Sequence, residues 1–288
     1  MGIFWGLLSA LGFGTADFIA RDASVKLTAY RALFYIHFVS AVALLAVIVF
    51  DGIPATATLA SVGLGAVLGA INTVGTLMLY RALAIGKVSI ASPVTSAFGG
   101  VALVLSLLAG DHIPLGGVLS LLLMLAGIVI VSSVSHDPND ANRKGLKGLP
   151  EAIIAAIAIG LNAWGLQFVV GPLGAYIPTL IGRVMTMILL SVFVRPMNQS
   201  IALPPSLSLW KTLVAAGLIT TIGEVAYNIG VKGTTPGIVA VLTSLFSAVT
   251  VFLALIFLHE RLVRRQWVGV GIIFAATVLI GYFQNFGA

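Results

Sequence analysis

A chain of 288 residues that is 59% hydrophobic and only 8% charged falls far below the roughly one-quarter charge content of water-soluble domains, and it reads as an integral membrane protein. Its apolar stretches are long and unbroken, which excludes an outer-membrane barrel built from alternating segments of ~10 residues. The formal charge of +6 comes from basic residues gathered in loops, where membrane topology accounts for them and nucleic acid is not needed. With no cysteine, disulfides, thiolate metal sites and thiol nucleophiles are all absent.

Spanning a bilayer takes about 20 predominantly apolar residues. Ten windows qualify, at 2–20, 31–50, 58–80, 88–109, 114–134, 149–170, 174–194, 208–230, 236–258 and 266–284. The first opens on Met1-Gly2-Ile3-Phe4-Trp5 without a charged leader, so it reads as a spanning helix and not as a cleaved signal. It carries Asp17, four residues before Arg21. That spacing offers a surface ion pair, and the alternative is a proton-coupling carboxylate. The second window holds His37, as a helix–helix hydrogen bonder or a proton relay. The third carries Asn72, Thr73 and, at its end, Tyr80, together with Gly65-x-x-x-Gly69, a spacing that favours close internal packing. The fourth has Pro93 one turn in, where the missing amide predicts a kink, followed by Thr95-Ser96.

The longest polar stretch, 135–147, lies at the midpoint and reads as a linker between a first repeat (1–134) and a second (148–288). In the second repeat the sixth window places Asn162, Trp164 and Gln167 at mid-helix. Trp164 there is too deep for the interfacial aromatic belt, so it is expected to line a cavity. The seventh window contains Arg183 and the eighth contains Glu224, with Tyr227 and Asn228 three and four residues on and hence on the same helix face. Glu224 can bind a ligand ammonium or a proton, or it can pair with Arg183; Arg183 can equally hold a substrate carboxylate. Ionisable groups at membrane depth face a cavity or a partner as a rule.

The halves repeat. Tyr80 with its following Gly86 lies 147 residues before Tyr227 with Gly233, and Thr95-Ser96 lies 148 before Thr243-Ser244. Five helices per half is an odd number, so the second half enters the membrane from the opposite side. The expected architecture is therefore an all-α membrane protein of ten transmembrane helices, arranged as a 5+5 inverted repeat around a central cavity. Loop charge fits this count: 13 of the 15 Lys and Arg fall on the face reached after helices 1, 3, 5, 7 and 9. Read by the positive-inside rule, that places both termini outside. Tyr80 and Tyr227, as repeat equivalents, are expected at opposite entrances.

From Tyr80 to Leu121, and again from Tyr227 to Ile280, the chain resembles the EamA-type repeats of the drug/metabolite transporter superfamily. The resemblance rests on Leu242-Thr243-Ser244-Leu245-Phe246, then Leu258-His259-Glu260-Arg261-Leu262, then Gln266-Trp267-Val268-Gly269-Val270, with Trp5-Gly6 in the first helix. The first copy departs from it, with Asp111-His112 where Glu-Arg would stand. The resemblance implies a cavity lined by helices 1–4 and 6–9, with helices 5 and 10 outside it. It also implies termini in the cytoplasm, opposite to the charge count.

No Walker loop and no second histidine after His259-Glu260 are present, which excludes an ATP-driven pump on this chain and a zincin. The expected function is that of a secondary transporter in the bacterial inner membrane, not an enzyme, exporting small zwitterionic or aromatic metabolites, amino acids first, by alternating access. The alternatives are proton-coupled efflux of lipophilic cations and, from another class, an intramembrane enzyme or lipid-handling protein. The expected substrate-binding residues are Trp164, Tyr80, Tyr227, Asn162, Asn228, Glu224, Asn72, Ser96 and Ser244. Charge coupling is expected at Glu224, His37 and Asp17, with Arg183 as ion pair or carboxylate site. No cofactor, metal or nucleic-acid partner is expected; the partners are the small-molecule substrate and the lipid bilayer, and a monomer suffices.

Overall fold

The structure, a computed structural model, describes residues 2–110, 115–132, 147–233, 236–259 and 264–286. All of the expected linker (135–147) but its last residue, the Asp111-His112 turn and Glu260-Arg261-Leu262 lie outside the described residues. Thirteen helices are described, in the order and near the positions of the ten expected windows. They are α1 (Gly2–Leu27), α2 (Ala29–Asp51), α3 (Leu59–Ile85), α4 (Val88–Thr95), α5 (Phe98–Leu108), α6 (Leu115–Ser132), α7 (Leu149–Gly165), α8 (Gln167–Leu173), α9 (Ile177–Phe193), α10 (Leu207–Gly233), α11 (Pro236–Ser244), α12 (Phe246–Phe257) and α13 (Arg264–Phe286). Four stretches, Ala29–Asp51, Leu59–Ile85, Val88–Leu108 and Leu207–Lys232, are long and apolar enough to cross a membrane by those criteria, and a fifth is α7 with α8 across a 45° bend.

Three windows are thus broken. The fourth splits at Ser96-Ala97 and the ninth at Leu245, where Ala97 N bonds Val94 O and Leu245 N bonds Leu242 O. These i→i−3 bonds tighten the ladder locally. The sixth splits at Leu166, where Val169 N bonds Leu166 O in the same way. The kink expected from Pro93 is displaced: Pro93 stays inside α4 and the break follows it.

Polarity is distributed inside out. Phe50, Leu59, Leu108 and Val49 are exposed, whereas Asp17, His37, Ser40, Thr73 and Arg183 are buried. A surface of large apolar side chains over a polar interior suits lipid as the surrounding solvent.

The two faces of the bundle can be traced through its ties. Tyr30 and Tyr35 at the start of α2 donate to Leu190 O and Ile201 O, and Arg31 donates to Ala202 O and Leu203 O, so the end of α9 and the loop after it meet the α1–α2 junction. Arg81 near the end of α3 pairs at 3.2 Å with Glu151 at the start of α7. On the opposite face Thr56 donates to Pro172 O. Helix α1 therefore ends on the face where α7 begins. The first helices of the two halves run in opposite directions, which makes the repeat inverted.

Glycine contacts give the register of that repeat. A Cβ on Gly14 would stand 2.5 Å from Phe246 O and 2.6 Å from Val249 Cβ; one on Gly160 would stand 2.8 Å from Phe98 O and 2.6 Å from Val101 Cβ. Gly75 meets Ile159 and Ala158, while Gly223 meets Phe13 and Gly12. Gly69 meets Gly182 and Met185, while Gly217 meets Ile36 and Val39. Every member of one contact maps onto the other with a shift of 146 residues in α1/α7 and α2/α9, and 148 in α3/α10 and α5/α12. Hydrogen bonds obey the same rule: Thr73 Oγ1 lies 2.7 Å from Thr186 Oγ1, and Thr221 Oγ1 donates to Ser40 Oγ at 2.6 Å. Each of these contacts joins one half to the other, so neither half buries its small-residue faces alone. The structural register also corrects the sequence alignment. Tyr80 corresponds to Asn228 and Leu79 to Tyr227, so the two tyrosines are not equivalents.

Candidate functional site

A central cavity with about 720 Å³ of space free of atoms is lined from α1 by Phe13 and Asp17, from α2 by His37, and from α3 by Asn72, Thr76, Leu79 and Tyr80. Phe98 closes one wall from α5. The second half contributes Ile159, Asn162, Ala163 and Leu166, then Arg183 from α9, Thr220, Glu224 and Tyr227 from α10, and Thr243 and Phe246. Eight of the ten expected windows take part; α6 and α13 pack on each other, and none of their described residues lines it. Asp17 lies ten residues before the end of α1 and Arg183 ten before the end of α9. At 1.5 Å per residue both stand about 15 Å from the ends of their helices.

The cavity sits on the two-fold relation. Phe13 and Ile159, Asp17 and Ala163, His37 and Arg183, Asn72 and Thr220, Thr76 and Glu224, Leu79 and Tyr227, and Phe98 and Phe246 are all register mates and all line it. Two of these pairs touch across the centre. The Phe98 and Phe246 rings are 6.2 Å apart, and Arg183 Nη1 donates to His37 Nε2 at 3.0 Å.

Arg183 is the hub of the polar wall. Its Nε donates to Ser40 Oγ at 2.9 Å and its Nη2 pairs with Glu224. Of the two partners expected for Arg183, Glu224 is in contact with it, and both residues belong to the lining. His37, expected as a helix–helix hydrogen bonder or a proton relay, has a partner in Arg183. Asp17 is 6% exposed. The i,i+4 pair with Arg21 is not formed: Arg21 Nε is buried without a hydrogen-bond partner.

Several expected ligand contacts lie elsewhere. Trp164 projects from another side of α7 and meets Phe168 edge-on at 5.1 Å; on a 3.6-residue helix it cannot share the face of Ile159, Asn162 and Ala163. Asn228 is fully buried and its amide donates to Ala175 O and Thr179 Oγ1, a tie from α10 to the first turn of α9 and the turn before it. Ser96 and Ser244 sit at the breaks of the fourth and ninth windows and donate to Pro93 O and Ala240 O of their own helices. Tyr80 and Tyr227 share one cavity instead of marking two entrances. Asn72, Asn162, Tyr80, Tyr227 and Glu224 line the cavity. The sequence reading overlooked Thr76, Thr220 and Phe13. Each lies four residues from a named residue, at the spacing that shares a helix face.

A sequence model for the family described as "EamA-like transporter family" matches residues 1–133 and 146–282. No curated protein matches the chain. Among solved structures, a crystal structure titled only "Crystal structure of protein" superposes with a TM-score of 0.71 at 14% identity, covering 96% of this chain and 95% of its own. At that identity the likeness speaks for the fold.

Proposed function

The chain belongs to the EamA-like transporter family, and from that premise we propose that it is a secondary transporter of small metabolites that carry an amino group on an apolar or aromatic body. Amino acids and related amines are the class, moved outward across the bacterial inner membrane by alternating access. The observation that carries this reading is a central cavity built from matched positions of both halves. A ligand there touches both repeats, so tilting one against the other closes one approach and opens the other around the same site.

The lining supports the substrate class. Phe13, Phe98, Phe246, Tyr80 and Tyr227 offer ring faces to an apolar body, while Asn72, Asn162 and Thr220 offer hydrogen bonds, the mixture that pockets for small organic ligands use. Phosphorylated cargo is disfavoured, because Arg183 is already engaged by Glu224 and Ser40.

Purified protein in liposomes, given a panel of labelled amino acids, aromatic amines, sugars and sugar phosphates, tests the proposal. Exchange of amino acids or amines that Asn162→Ala and Tyr227→Ala abolish is the expected result. A panel in which nothing moves, or cavity variants that transport at the normal rate, overturns it.

A further inference from the structure

The cavity wall carries more negative charge than it balances. A guanidinium can only donate hydrogen bonds, so His37 Nε2, facing Arg183 Nη1 at 3.0 Å, must accept, and the ring proton resides on Nδ1. His37 is neutral in this arrangement, and Arg183 cancels Glu224. Asp17 remains. It makes no hydrogen bond or ion pair with any described residue, yet it lines the cavity at 6% exposure.

The helices packed against α1 supply no counter-ion. In the cavity, α2 brings His37, α3 brings Tyr80, and α10 brings Glu224 and Tyr227; α9 adds the occupied Arg183, and α11 and α12 contain no ionisable residue. A second orphan stands nearby: Thr243 Oγ1, on a side chain 1% exposed, has no hydrogen-bond partner and lines the same space. Phe13 precedes Asp17 by four residues, so a ring and a carboxylate share one face of α1. An unpaired carboxylate at this depth is costly until a proton or a cation neutralises it.

We infer that Asp17 is the position where a proton and the cationic group of the cargo compete, and that the cargo is an organic monocation with an apolar body. This rests on the transporter reading above and narrows its substrate class. The carboxylate of a zwitterion would find Arg183 already taken and two acidic side chains in the same cavity. In the exchange, a cation arrives from one side at protonated Asp17, the carboxyl O–H bond breaks, and the proton leaves to water on that side. The carboxylate then holds the cation. After the cavity has opened to the other side, a proton from there re-forms the O–H bond and the cation departs. One proton moves against one cation, so no net charge crosses the membrane. Glu224, held by Arg183, takes no part in the exchange.

The test uses liposomes holding the full chain and two labelled probes, phenyltrimethylammonium, which cannot lose its charge and so cannot leak as a neutral amine, and phenylalanine. Phenyltrimethylammonium is expected to accumulate about tenfold per unit of pH gradient, with no response to an imposed membrane potential. Phenylalanine is expected to show no pH-driven accumulation. Asp17→Asn should abolish the gradient response, Asp17→Glu should restore part of it, and both variants should keep the parent's elution profile and melting temperature. In detergent, binding of phenyltrimethylammonium should weaken as pH falls for the parent and be lost in Asp17→Asn. An Asp17→Asn protein that still couples to the pH gradient overturns the inference. So does transport of phenylalanine without phenyltrimethylammonium, although that result leaves the transporter reading standing. Failure of every compound in the wider panel refutes both.

Discussion

Replacing Glu224 by Gln tests the hub of the polar wall. The carboxylate faces Arg183, whose side chain is 2% exposed against 13% for Glu224. Removing one member of a buried pair costs about 3–5 kcal/mol because the other charge is left uncompensated. Glutamine can still accept one hydrogen bond from Nη2, and the cavity gives Glu224 some access to water, so the lower end, about 3 kcal/mol, is expected. That is more than a hundredfold in the folded-to-unfolded ratio. The double variant Arg183→Gln/Glu224→Gln removes the stranded cation. It deprives His37 Nε2 of its donor and leaves Ser40 with the one from Thr221, at about 1–2 kcal/mol in all, so it should sit at least about 1 kcal/mol above the single variant. Equilibrium unfolding in mixed micelles at increasing SDS gives the three stabilities. A single variant within about 1 kcal/mol of the parent, or a double variant less stable than the single, would refute this account. Loss of the pH-gradient response in Glu224→Gln at unchanged stability would move the coupling site from Asp17 to Glu224.

Trp164→Ala should transport within about twofold of the parent, because the ring packs on Phe168 outside the cavity and the cost falls on packing alone; initial rates in liposomes check this. Gly12→Ala places a Cβ 2.8 Å from Gly223 Cα, a clash with backbone that should cost about 1–3 kcal/mol and appear as a lower melting temperature with little change in substrate selectivity. In this cysteine-free chain, Asp51→Cys and Gln199→Cys mark opposite faces; an impermeant maleimide should reach Gln199→Cys only from the cytoplasm and Asp51→Cys only from outside, if the basic face is inward. Labelling of both from one side breaks the topology.

Much of the fold was legible because hydropathy and loop charge are local signals. Ten windows could be drawn from apolar length, and the helices fall in them. The ends were not legible: α1 runs on through Arg21, Asp22 and Lys26 to Leu27, since a helix does not stop where its apolar face does. The break at Leu166 was missed although Gly165 precedes it, because an isolated glycine is tolerated inside a helical window, and at Pro93 the chain yields a turn later than the residue that provokes it. In the site, Asp17, His37, Arg183 and Glu224 announced themselves as charges at depth, which sequence shows well. Trp164, Asn228, Ser96 and Ser244 were drawn in by residue type. Which way such a side chain faces depends on neighbours from the other half, and the sequence hides these. The repeat itself was visible, yet its register was misjudged by one residue at Tyr80, where matching side chains outweighed matching contacts.

The symmetry of contacts at Gly14 and Gly160, Gly75 and Gly223, and Gly69 and Gly217 leaves the scaffold with almost no sense of direction. If the two halves exchanged conformations, the same glycines would meet the same helices, and the backbone alone would hold the two facings at equal energy. Direction must be written in the positions where the halves disagree, and those that carry an ionisable imidazole, guanidinium or carboxyl in the cavity are Asp17 against Ala163, Glu224 against Thr76, and His37 against Arg183. A handful of side chains thus decides which way an ancestral duplication points, and moving the carboxylate from position 17 to position 163 would turn the chemistry of the site around without rebuilding a single helix.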